Sequence, residues 1–237
     1  MRSTDATRLP ERTRLRLTAV PLLLCALLAA CASTPPAGGP QAPATAPGAG
    51  SSKQASKDLP ARRTESTEGS VKPAVQRAYD AALDELNGGH ADDATRDLLA
   101  LARSEPDLGG PHANLGLIYR QAGKLADSVT ELEQAVRLNS QQPVYWNQLG
   151  ITYRQSGEFK KAQEAYEKAI ALDPSYANPY LNLGILFDLY LWDGQRALEL
   201  YDRFLALSPG DERVVKWIAD LKNRNRKADA AAQKERQ

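Results

Sequence analysis

This chain of 237 residues is poor in the side chains that do chemistry: it has two histidines, His90 and His112, and two cysteines, Cys25 and Cys31. A structural zinc site takes four such ligands. His90 with Asp92 and Asp93 supplies at most three, in a turn where polar residues are usual, so no metal is expected. No glycine-rich phosphate loop and no nucleophile elbow occurs. The carboxylate pairs Glu131 with Glu133 and Glu164 with Glu167 fall on outer helix surfaces and read as solvated groups. No catalytic residue and no cofactor is expected. Charge of one sign is also lacking: 30 basic residues face 29 acidic ones, for a net of +1. A nucleic-acid partner requires clustered Lys and Arg over the domain, so none is expected. The one long apolar run, Leu17–Ala30, is broken by Pro21 and falls short of the ~20 residues that span a bilayer.

What the chain does have is a period. Leu115-Gly116, Leu149-Gly150 and Leu183-Gly184 recur at an interval of 34 residues, and Tyr119, Tyr153 and Phe187 move with them. Gly123 and Gly157 share the interval, as do Leu138 and Leu172. A fixed period of this length means stacked helix–turn–helix units, each too small to bury its own apolar face. Gly116, Gly150 and Gly184 fall in helix interiors, where glycine costs about 1 kcal/mol against alanine. That cost implies close approach of a neighbouring helix, with Ala135, Ala162, Ala169 and Ala197 as the small residues expected to face it. Gly123 and Gly157 are placed to end first helices, and Pro174 and Pro209 to stop second ones.

The pattern resembles the tetratricopeptide repeat. Residues 143–176 hold nearly the whole signature: Trp146, Leu149, Gly150, Tyr153, Ala162, Tyr166, Ala169 and Pro174. Residues 109–142 keep Leu115, Gly116, Tyr119, Leu132 and Ala135, with His112 in place of the first aromatic, Ser128 for the small residue and Ser140 for the proline. Residues 177–211 keep Tyr180, Leu183, Gly184, Phe187, Ala197, Tyr201 and Pro209, with one extra residue near Trp192–Gly194. A degenerate unit, 75–108, retains Ala82, Gly89, Ala94, Leu98 and Pro106, but has Glu85 where the aromatic belongs. The resemblance implies an all-α, right-handed superhelical solenoid of antiparallel helix pairs over residues 71–210. Residues 211–227 read as a capping helix, with Val215, Ile218 and Leu221 on its apolar side, and 228–237 as a fraying tail.

In that family the first helices line a concave groove. Helical spacing puts Ala113, Leu117, Arg120 and Gln121 on one face of such a helix. The equivalents are Asn147, Ile151, Arg154 and Gln155, then Leu181, Ile185, Asp188 and Leu189, with Tyr79, Leu83 and Asn87 extending the row. The resemblance thus implies a groove with an apolar floor of Leu117, Ile151 and Ile185 and a step of Arg120 and Arg154, suited to a peptide or helix with apolar anchors and some acid. The two arginines either meet acidic groups of a partner or pair with neighbours; the spacing is compatible with both. The chaperone-binding subclass is excluded, because Val144 and Asn178 stand where its basic clamp residues are needed.

The N-terminus is a second pattern. Arg2, Arg8, Arg12, Arg14 and Arg16 precede the apolar run, and Leu28-Ala29-Ala30-Cys31 follows it. Basic, apolar and small-residue segments in this order describe a secretory signal peptide over residues 1–30. Its last four residues resemble the bacterial lipobox, which implies acylation of Cys31 and loss of Cys25 with the signal. Ala32, in place of the aspartate that retains many lipoproteins in the inner membrane, implies the outer membrane, with the domain in the periplasm. Residues 1–30 carry a net of +3 out of +1 for the chain, leaving the remainder at −2. Residues 31–70, rich in Pro, Ala, Gly and Ser, cannot cover the entropy of folding and read as a disordered tether with a typical span of roughly 35 Å. Together the patterns imply a non-catalytic scaffold for other envelope proteins. The alternative is a small-ligand or glycan-binding accessory of a cell-wall enzyme, which an aromatic-rich groove would favour over this aliphatic one. Mass spectrometry of the mature protein is expected to find an acylated Cys31 as its first residue, and Cys31→Ala is expected to leave the membrane fraction; an unmodified Cys31 would refute the anchor.

Overall fold

In a computed structural model of the chain, residues 72–236 are described. The signal segment, Cys31 and the tether lie outside them. The described residues form helices only: α1 (Pro73–Asn87), α2 (Ala91–Ser104), α3 (Gly109–Gln121), α4 (Leu125–Leu138), α5 (Pro143–Gln155), α6 (Phe159–Leu172), α7 (Ala177–Leu189), α8 (Gly194–Leu207) and α9 (Glu212–Glu235). Each odd-numbered helix through α7 packs on the even one that follows it, and each pair packs on the next. The degenerate unit is thus a full helix pair, and the array is a solenoid of four pairs plus α9.

Local chemistry sets the boundaries. Pro73 and Pro143 open α1 and α5, where a missing N–H costs nothing. Gly89, Gly123 and Gly157 all take positive φ just past a first helix. Behind them the chain closes with two crossed bonds, as in Lys124 N–H to Tyr119 O (2.8 Å) and Gly123 N–H to Arg120 O (3.0 Å). That is the Schellman cap. The fourth turn departs from it. Its extra residue leaves Trp192 at φ 58, the one non-glycine positive φ among the described residues. A left-handed conformation costs an ordinary residue about 1–2 kcal/mol.

The mid-helix glycines are notches for side chains of the partner helix. A Cβ on Gly150 would lie 2.6 Å from the Tyr166 ring, one on Gly116 2.5 Å from Leu132, and one on Gly184 2.7 Å from Tyr201. The neighbours are therefore these large residues, not the alanines expected from the sequence. Ala135, Ala162, Ala169 and Ala197 are fully buried elsewhere in the core. Ser128 replaces an alanine there and donates to Gly116 O at 2.7 Å, which satisfies its hydroxyl where water cannot reach. In the first pair the notch holds Ala82, with Leu98 at the partner position, both fully buried.

The core runs along the stack in two clusters. One joins Tyr79, Leu83, Leu98 and Leu101 to Leu115 and Ile118 of α3; the other runs from Ala113 and Leu132 to Leu221. The last helix differs from expectation in two ways. It runs past Lys227 to Glu235, through an alanine-rich stretch of high helix propensity, from an N-cap in which Asp211 accepts from Arg213 N–H and Val214 N–H. Its buried stripe is Val214, Ile218 and Leu221, while Val215 is exposed. Each of those three stands one repeat beyond Pro179, Leu183 and Leu186, so α9 is placed as the first helix of a fifth unit, of which the described residues contain this helix alone. The positions that would face a second helix of that unit are Val215, Ala219 and Lys222, all exposed.

Gly150→Ala is expected to cost about 1–3 kcal/mol, because the fully buried Tyr166 ring has no room to yield. Adding Tyr166→Leu, which copies the Ala82 and Leu98 arrangement, is expected to recover part of the loss in thermal melts. A neutral single variant, or a double variant with strictly additive losses, would mean the notch is not a tight contact.

Candidate binding groove

The groove face divides by depth. Ala113, Leu117, Asn147, Leu181 and Ile185 are buried between successive first helices, as are Tyr79 and Leu83 at the N-terminal end. Gln121 and Gln155 are exposed, and Arg120, Ile151 and Leu189 are half-buried. The expected apolar floor is therefore closed at Leu117 and Ile185 and open only at Ile151. What remains accessible gathers at the C-terminal ends of α3, α5 and α7.

Buried polar groups on this face bond across the repeats. Asn114 Nδ2 donates to Tyr79 Oη (2.6 Å) and to Gly110 O (3.0 Å). Asn182 Nδ2 donates to Asn147 Oδ1 (3.0 Å), and Asn147 Nδ2 to Tyr176 Oη (3.2 Å). A buried amide left unpaired costs more than its bond returns, so these contacts fix the register of one pair on the next.

The row Arg120, Arg154, Asp188 is a seam between units. Arg120 Nη1 donates to Gln148 O of the next unit at 3.3 Å. Arg154 is only 8% exposed; its Nε donates to Tyr166 Oη at 3.4 Å, and its guanidinium lies 5.9 Å from the Tyr190 ring centre. The sequence places Arg154 on the groove face, either to meet a partner's acid or to pair with neighbours. It is sunk between its own pair and the next, because the large Tyr166 and Tyr190 rings close over it. Asp188, 6% exposed, accepts from Arg224 Nη2 at 2.7 Å and from Tyr201 Oη at 3.4 Å. Burial pushes the Tyr166 and Tyr201 hydroxyls well up, so both stay neutral at physiological pH.

Sequence spacing does not single out Tyr166, Tyr190, Tyr201 and Arg224 as partners of this row. One signal is present: the row changes sign at Asp188, and an arginine follows a little over one repeat later. The outer carboxylates also have partners. Glu131 Oε2 lies 2.7 Å from His112 Nδ1, and Glu133 Oε1 accepts from Tyr153 Oη at 2.6 Å. His112 therefore bonds sideways to α4, where Trp146 and Tyr180 at the equivalent position bond back to the preceding turn, at Ser140 O and Pro174 O. Among the described residues no three His, Cys, Asp or Glu side chains gather as metal ligands, and no helix is long and apolar enough to cross a membrane.

Residues 79–143 match the family model described as tetratricopeptide repeat, and residues 150–188 a second one described as TPR repeat. No curated protein matches the chain. Among solved structures, PilF of Pseudomonas aeruginosa has a TM-score of 0.60 at 21% identity, over 68% of this chain and 72% of that one. The 41-end fragment of MamA from Desulfovibrio magneticus RS-1 has a TM-score of 0.59 at 19% identity, over 69% of this chain and 92% of that one. A thermophilic TPR protein of Thermus thermophilus has a TM-score of 0.53 at 23% identity, over 62% of this chain and 80% of that one. At such identities the likeness is one of fold.

Arg154→Glu is expected to destabilise the array by about 2 kcal/mol or more, since it buries a carboxylate beside neutral phenols. Its exposed neighbour Gln155→Glu should stay within about 0.5 kcal/mol of the parent. Denaturant melts of the two variants measure this, and equal stability would return Arg154 to the open surface.

Proposed function

Because this chain belongs to the tetratricopeptide-repeat family, whose arrays are protein–protein interaction scaffolds, we propose that it is a non-catalytic adaptor tethered by lipid on Cys31 to the periplasmic face of a bacterial outer membrane, where it assists an envelope complex. The observation that carries the binding surface is the accessible strip at the ends of the first helices. There Ile151 offers an apolar anchor, flanked by the half-buried Arg120 and the exposed Gln121 and Gln155 on consecutive helices. A partner segment with an apolar side chain and a nearby acid fits this strip. The spread of buried residues limits that segment to shallow contact, since Leu117 and Ile185 are already covered.

The basic, apolar and small-residue order of the N-terminus supports the anchor. A tether of about 40 residues would let the array sample the space within roughly 35 Å of the membrane. Photo-crosslinking in intact envelopes tests the surface without disturbing the fold. A crosslinker at Gln155 or Gln121 is expected to trap a protein, and one at the exposed outer residue Lys168 is not. Capture of glycan strands at Gln155, or equal capture at Lys168, would remove the groove from this role.

A further inference from the structure

The turn between α7 and α8 carries two local costs. Trp192 sits at positive φ, where the other three turns place glycine, and it is 56% exposed beside Leu191 at 36%. Strained conformations of this kind cluster at ligand-binding and switch sites. Nothing in the core requires this one, since Gly89, Gly123 and Gly157 close the equivalent turns without it.

The same turn is bracketed by the last helix. Arg224 bonds Asp188 on its N-terminal side at 2.7 Å. On its C-terminal side Gly194 abuts Asn225, whose Oδ1 would lie 2.7 Å from a Cβ there. The two contacts hold the segment Lys222–Lys227 against the turn. That segment has Lys222, Arg224, Arg226 and Lys227 and no acid, and all four are exposed. The acids of the turn are already engaged: Asp188 is buried under Arg224, and Asp193 accepts from Arg196 N–H as the α8 cap. An exposed indole thus stands next to uncompensated positive charge.

We propose that Trp192 and Leu191, with Lys222, Arg226 and Lys227, form a docking site for an anionic bilayer surface. The indole would enter the headgroup region, where aromatic side chains with one polar edge are favoured. The basic side chains would meet the lipid phosphates. The site is independent of acylation at Cys31 and would add a second, reversible contact to a tethered domain, turning one end of the array toward the membrane.

The test uses the full chain carrying Cys31→Ala and vesicles with bromine on the acyl chains, which quench only tryptophan that reaches the bilayer. Emission is expected to be quenched on phosphatidylglycerol-containing vesicles, and not on pure phosphatidylcholine. Trp192→Gly, which restores the glycine of the other turns and is checked by circular dichroism to fold, is expected to lose the quenching. The triple variant Lys222→Gln, Arg226→Gln, Lys227→Gln is expected to weaken partition more than about tenfold, since each charge is worth about fivefold near such a surface, and to remove its salt dependence. Absence of quenching in the parent, equal quenching on neutral vesicles, or quenching that survives both variants would overturn the proposal. None of those results bears on the groove, which the crosslinking tests separately.

Discussion

The contact on which the rest of this protein depends is a glycine under a side chain. At Gly116, Gly150 and Gly184 the first helix has no Cβ, and Leu132, Tyr166 and Tyr201 of the second helix rest in the gap. The notch lets the two helices of a pair approach closely enough to bury those side chains completely or nearly so. The close approach has a consequence on the next link. With Tyr166 and Tyr201 held so deep, their hydroxyls bond Arg154 and Asp188 of their own pairs, and those two side chains reach the next unit at the Tyr190 ring and at Arg224. The same packing that makes a pair thus supplies the polar groups that join it to its neighbour. Each pair leans on the next one, and among the described residues α9 turns Val215, Ala219 and Lys222 to solvent.

The period, the number of units, the helix caps and the mid-helix glycines were all legible in the sequence, because each rests on a local rule: spacing, left-handed turns, the cost of glycine. The degenerate first unit was legible through Ala82, Gly89 and Leu98 even with Glu85 in an aromatic position. Depth was not legible. Helical spacing places Leu117, Arg154 and Ile185 on one face of the first helices, but it carries no information on how far the adjacent first helix covers that face. The identity of the glycine's neighbour is hidden for a related reason: the alanines share the second helix with Tyr166, and only the rotation of that helix decides which residue meets the notch. The polarity of the tail beyond Lys227 suggests fraying, yet its alanines and the Asp211 cap continue the helix to Glu235.

For function, the division between buried and accessible residues narrows what the groove can offer. The arginine row, attractive as a binding step in sequence, is mostly spent on holding units together, and the strip around Ile151 is what stays accessible. A scaffold of this design separates its tasks: side chains deep in the face set register, and a few at the helix ends are free to vary with the partner. The departure at Trp192 fits the same logic: Tyr190 of that turn packs inward on Phe159 and Arg154, while Trp192 is presented outward.

The central claim is that stability passes from each unit to the next through the notches and the seam between them. Hydrogen exchange read by mass spectrometry measures this directly along the chain. The account expects the slowest exchange in α4 to α6, a graded loss toward α1 and the exposed end of α9, and coupled opening of adjacent pairs. Slowest exchange in a terminal pair, or pairs that open independently of one another, would contradict it.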